Sequence, residues 1–167
     1  MKQIPNLLVE GSTKSSISNI TDALSHYRGK SGKTVPANST LIQEMQSDKS
    51  FINMIKDLEN TIKNKITKEK IKNKETISAA PGSRRGVRCG CLGSYNLNIS
   101  YSFVPKIGDN NFTIHFSGSD LWDFEPSDQK NWFENLVEEY IPGKLAGDGV
   151  PFTITYSFDY SMCVNYS

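Results

Sequence analysis

A chain of 167 residues with 37% hydrophobic and 22% charged residues is long enough for one compact molecule with an ordinary core, and eight Phe, seven Tyr and two Trp exclude a chain disordered throughout. No apolar run approaches the roughly 20 residues that span a bilayer, and Met1 to Glu10 has neither the apolar stretch nor the cleavage site of a secretory signal. Net charge is only +1, but residues 1–88 hold 16 Lys and Arg against 8 Asp and Glu, whereas residues 89–167 hold 3 against 10.

That split fits a basic face for an anionic partner joined to an acidic unit, and equally two charged faces that attract one another or face water. The lysines spread along helical segments instead of gathering with aromatics, so there is no strong nucleic-acid signal.

In chain order, Ile17, Ile20, Ala23, Leu24 and Tyr27 recur at helical spacing behind Ser and Thr caps, and Gly29 ends that helix. Arg28-Gly-Lys-Ser-Gly-Lys-Thr34 contains Gly-Lys-Ser and Gly-Lys-Thr but lacks the preceding strand and following helix of a phosphate loop, so it reads as a loop. Ser39 to Gln46 makes a short helix. A longer one begins near Ser47 or Asp48, its apolar stripe marked by Phe51, Ile55, Leu58, Ile62 and Ile66.

The segment from Lys63 to Lys74 is lysine-rich and weakly periodic, and Ala79 to Arg88 has the residues of a turn-rich linker. Arg84, Arg85 and Arg88 are able to contact phosphate, and equally to belong to a flexible joint. The organisation expected is a basic helical unit over 1–78, a linker over 79–93 and an α+β core over 94–167.

The period then changes to two. Tyr95, Leu97, Ile99, Tyr101 and Phe103 alternate with polar residues, a loop covers Pro105 to Asn110, and Phe112, Ile114 and Phe116 resume the alternation as a hairpin partner. A third strand carries Phe152, Ile154, Tyr156 and Phe158. Between the second and third strands, Trp132, Phe133, Leu136, Val137 and Tyr140 mark a helix that packs across the sheet. The expected fold class is α+β, with N-terminal helices followed by a small antiparallel sheet, an open half-barrel, and one helix across it.

Three cysteines, Cys89, Cys91 and Cys163, are too few ligands for a zinc site; a bridge from one of the pair to Cys163 and buried thiols both stay open. The second strand runs out through Ser117-Gly-Ser119 into Asp120-Leu-Trp-Asp-Phe-Glu125, with Asp128 just beyond. Crowded carboxylates at a strand-to-helix turn separate one another's pKa values for acid–base work, or hold a divalent cation between their oxygens. They also suit the positive N-terminus of the following helix.

The run from Phe116 to Lys130, followed by Ile141-Pro-Gly143 and the strand at Pro151-Phe152, resembles the core of the colicin M type of bacterial toxin domain. In that family a strand leads into an Asp-x-Tyr-Asp motif, and a His-Arg pair follows after five residues. The resemblance implies an antibacterial toxin with an open β-barrel, secreted or delivered by a carrier protein to the target-cell periplasm. There it would hydrolyse lipid II, the pyrophosphate-linked peptidoglycan precursor, with a divalent cation such as Mg2+, and be countered by a cognate immunity protein.

Asp120 and Asp123 fall on the two acidic positions, while Trp122 stands in place of Tyr, and Gln129 and Lys130 in place of His and Arg. The resemblance therefore makes Asp120, Asp123 and Lys130 candidate catalytic residues, with His115 as a stand-in base. Trp122 and Gln129 become substrate contacts, and Asp120, Asp123 and Glu125 cation ligands. Ala23-Leu-Ser-His-Tyr-Arg-Gly29 with Gly32 also resembles the start of polymorphic toxin modules. Two other classes stay open: a toxin of different activity, such as a nuclease or a membrane-acting protein, and a non-enzymatic binding or immunity module.

Overall fold

The computed structural model describes residues 10–86, 89, 91–123 and 149–167. The fold is α+β. Its elements run α1 (Ile20–Arg28), β1 (Val35–Pro36), α2 (Ser39–Ser47), α3 (Lys49–Lys65), α4 (Lys68–Lys72), β2 (Ile77–Ser78), β3 (Ser83–Gly86), β4 (Tyr95–Ser100), β5 (Ser102–Phe103), β6 (Gly108–Trp122) and β7 (Phe152–Tyr166). Five strands form a sheet in the order β1-β7-β6-β4-β3, and β2 pairs with β5 in a second, two-stranded sheet, with no closed barrel among the described residues. The helix expected over Trp132 to Tyr140 lies outside the described residues.

The chain divides into two interleaved compact units. The first comprises residues up to Met45, Val87–Tyr95 and Ser119–Tyr156; the second comprises Gln46–Gly86, Asn96–Gly118 and Ser157–Ser167.

In the first unit, the Asn19 side chain caps α1 by accepting from the Asp22 N–H, and Ala23, Leu24 and Tyr27 bury its apolar face. Ile17 is not the first turn of that helix but a bridge partner of Ala37. The end of α1 is closed by contact with Gly11 and Ser12. A Cβ on Gly29 would lie 2.8 Å from the Ser12 carbonyl carbon, and Ser12 N donates to Ser25 O at 2.9 Å. Gly149 meets the same helix end, where a Cβ would come within 2.3 Å of the Tyr27 ring. β1 pairs in parallel with β7 through Val35↔Ile154. Two residues are too short to show a period, which is why this strand left no sequence signal.

In the second unit, α3 opens behind Asp48, whose carboxylate accepts from Ser50 N, and it buries Phe51, Met54, Leu58 and Ile62. Phe51 is the pivot: its ring lies 5.5 Å from Phe116, 5.9 Å from Phe158 and 5.8 Å from Tyr160. Burying such a ring stabilises by about 1.5–3 kcal/mol before edge-to-face terms are added.

β4 and β6 are antiparallel through Ile99↔Phe116. The alternation from Tyr95 to Phe103 reads as one strand, but the chain changes partner at Tyr101, and Phe103 pairs with Ile77 of β2. The segment expected as a linker contains strand β3. Its side chains Ser83, Arg84 and Arg85 are all exposed, so no apolar alternation marks it.

Candidate functional site

The acidic segment begins inside β6, not after it. Expectation ended the strand near Ser117-Gly-Ser119, yet pairing continues to Trp122. Along β6 the even-numbered side chains Asn110, Phe112, Ile114, Phe116 and Trp122 are buried, whereas Asp109, Thr113, His115 and Leu121 are exposed. Asp120 shares the inward parity of Trp122, and this strand periodicity draws a carboxylate toward the core.

Trp122 fixes the end of the strand. It is 2% exposed, its indole N–H donates to Cys91 O at 2.8 Å, and its ring packs against Phe152 at 5.7 Å and Tyr27 at 6.2 Å. Expectation made Trp122 a substrate contact. Its burial and hydrogen bond make it an anchor that holds Asp120 and Asp123 to the first unit. The partner carbonyl comes from a tight turn in which Leu92 N donates to Cys89 O at 2.7 Å.

That turn also presents Gly93, whose N–H donates to Asp120 Oδ2 at 3.2 Å. The Asp120 carboxyl is pushed up from its ordinary 3.8 to about 6. Burial is the main cause, the Gly93 N–H opposes it by favouring the anion, and the Asp123 carboxylate adds a further push upward. Asp120 is therefore a carboxyl that gains and loses a proton near neutral pH, beside a second carboxylate. Burial of this kind makes a carboxyl a candidate for proton transfer, and it occurs in structural carboxyls as well.

Among the described residues, no group of three or more His, Cys, Asp or Glu gathers in metal-binding geometry. The Asp123 charge contributes the smallest of the effects on Asp120, and the segment offers these two carboxylates among the described residues. Glu125, Gln129 and Lys130 lie outside the described residues.

His115 belongs to the second unit, on the exposed parity of β6. Its Nδ1 lies 2.7 Å from Asp159 Oδ1, and Ser157 Oγ lies 3.3 Å from its Nε2. The connectivity is that of an Asp-His-Ser relay, but His115 and Asp159 are 50% and 69% exposed. Water competes for every one of these bonds, so they hold the side chains only weakly.

The histidine that sequence reading passed over is His26, which is fully buried in the first unit. Lys14 N donates to its Nδ1 at 2.9 Å, which puts the ring proton on Nε2, facing Lys33 O at 2.9 Å. The ring edge meets Phe152 at 4.5 Å. These bonds tie the loop before α1 and the loop after it to one side chain. The segment resembling a toxin-module start, Ala23 to Gly29 with Gly32, contains His26 and the close approach at Gly29.

The three cysteines form no disulfide; Cys89 and Cys91 are buried and Cys163 is exposed. Burial pushes the Cys91 thiol far up, with Glu44 and Asp120 adding to it, so it holds its proton and is no nucleophile.

No family model and no curated protein matches the chain. Among solved structures it is similar to PaeM, a colicin M-like bacteriocin produced by Pseudomonas aeruginosa, at 14% sequence identity and a TM-score of 0.44. The alignment covers 96% of this chain, which spans 59% of that one.

Proposed function

We propose that the chain is an antibacterial toxin domain whose reactive site is the acidic end of β6, where Asp120 and Asp123 act on a phosphate ester or a pyrophosphate-linked lipid of the lipid II type. The observation that carries this reading is the Asp120 carboxyl, held by the Gly93 N–H at 3.2 Å and raised to about 6 beside a second carboxylate. A carboxyl with that value is a competent base for activating water at neutral pH and a competent acid just below it.

Mg2+ characteristically takes one or two protein carboxylates and completes its shell with water and phosphate oxygens, so Asp123 would suffice to hold it while Asp120 stays available for the proton. When bound, the cation would neutralise charge on the phosphate. The residues do the remainder: Asp120 holds or releases a proton, Trp122 fixes the strand end, and Lys130 offers a point charge to phosphate. In this reading Gln129 contacts the substrate and Glu125 offers a further oxygen. Delivery by a carrier into the target-cell periplasm and neutralisation by an immunity protein complete the proposal.

The test is expression of the wild type and of Asp123→Ala in a bacterial host, each with and without a periplasmic export signal. The proposal expects killing by the exported wild type alone. Equal killing by the variant removes the catalytic role, killing only without export removes the lipid II target, and no killing anywhere favours a binding module.

A further inference from the structure

The second unit contains a cavity of about 280 Å³ that the acidic site does not use, lined by α3, by the segment from Ala79 to Arg84 and by β4 with Tyr101. Its walls divide by chemistry. Leu58, Ile99 and Tyr101 contribute apolar surface, and Lys65 and Arg84 place two cations on the lining. Lys65 Nζ is 5.8 Å from the Tyr101 ring centroid, and its hydrogen bonds go to neutral oxygens, Tyr101 Oη at 3.3 Å and Ser78 O at 3.4 Å. Among the described residues, neither Lys65 nor Arg84 forms a salt bridge with a carboxylate.

Two cations on the lining of a concave, partly apolar site, with no carboxylate partner among the described residues, favour an anionic ligand. The fork of Arg84 suits the oxygens of a phosphate, and Lys65 adds a point charge to it. The volume lies just below the roughly 300–1,000 Å³ typical of small-molecule sites, which selects a compact ligand over a polymer.

We infer that this cavity binds a compact organic phosphate, its phosphate between Lys65 and Arg84 and its planar or apolar part against Leu58, Ile99 and Tyr101. The inference is independent of the chemistry assigned to Asp120. It also gives a function to one of the three arginines that the sequence leaves divided between phosphate contact and a flexible joint.

Calorimetric titration of the full chain with a nucleoside monophosphate, and separately with inorganic phosphate, tests it. Saturable binding of the nucleotide at or below ~1 mM is expected, with inorganic phosphate weaker by roughly tenfold because it leaves the apolar wall unused. Lys65→Met and Arg84→Met should each weaken nucleotide binding by roughly tenfold. Lys63→Met, on the same helix but away from the cavity, should leave it unchanged.

Absence of saturable binding, equal affinity for inorganic phosphate, or equal weakening by Lys63→Met would each overturn the inference. Because Lys65→Met and Arg84→Met alter two separate segments, failure of one variant to fold leaves the other to decide.

Discussion

Replacing Asp120 by Asn should stabilise the protein at neutral pH while abolishing its activity. The carboxyl has a pKa of about 6 in the folded chain against an ordinary 3.8, so the folded state binds the proton more tightly than the unfolded state does. Below about pH 4 both states are protonated and the group contributes nothing. As pH rises through about 6 the folded state must ionise a buried carboxyl, and stability is lost across that window.

The full difference corresponds to roughly 3 kcal/mol, and partial access to water reduces the realised gain to about 1–2 kcal/mol. Asn keeps an oxygen to accept from Gly93 N–H, so the substitution removes the charge without removing the bond. Urea denaturation of wild type and Asp120→Asn at pH 4 and pH 7.5 reads this directly. A gain present only at pH 7.5 is expected. Destabilisation at pH 7.5, or a gain equal at both pH values, would refute the burial of this carboxyl as the source of its shift.

Trp122→Ala should cost about 3–5 kcal/mol, and Trp122→Phe about 1–2 kcal/mol through the orphaned Cys91 carbonyl, both read by denaturant unfolding. His115→Ala should change stability by less than about 1 kcal/mol, because its partners Asp159 and Ser157 are exposed with it. It should also retain killing, since proton transfer is assigned to Asp120. With a thiol-specific reagent, native protein should react at Cys163 alone, and Cys89 and Cys91 should become reactive only after unfolding.

The alternation through Tyr95–Ile99, Phe112–Phe116 and Phe152–Phe158 was legible because each strand presents one apolar face and one polar face. The extensions were not. β6 passes through Ser117-Gly-Ser119, where small residues carry no hydrophobic signal and the strand is kept by its neighbours β4 and β7. β3 is illegible for a related reason, since exposed arginines on an edge strand look like a linker.

At the site, the crowding of Asp120 and Asp123 was visible, whereas the burial of Asp120 depends on the strand continuing in register to Trp122. The anchor at Cys91 and Gly93 comes from a turn far away in the chain, and no spacing rule announces it. His26 was hidden likewise, because its partners Lys14 and Lys33 contribute backbone groups whose identity the sequence does not encode.

The central claim is that the acidic end of β6 is a reactive site. Its most direct measurement is killing by exported wild type, Asp120→Asn and Asp123→Ala at matched expression, with folding confirmed by denaturant unfolding. The account predicts that wild type kills, that both variants remain folded, and that neither kills. Full killing by a folded Asp120→Asn or Asp123→Ala protein would contradict it.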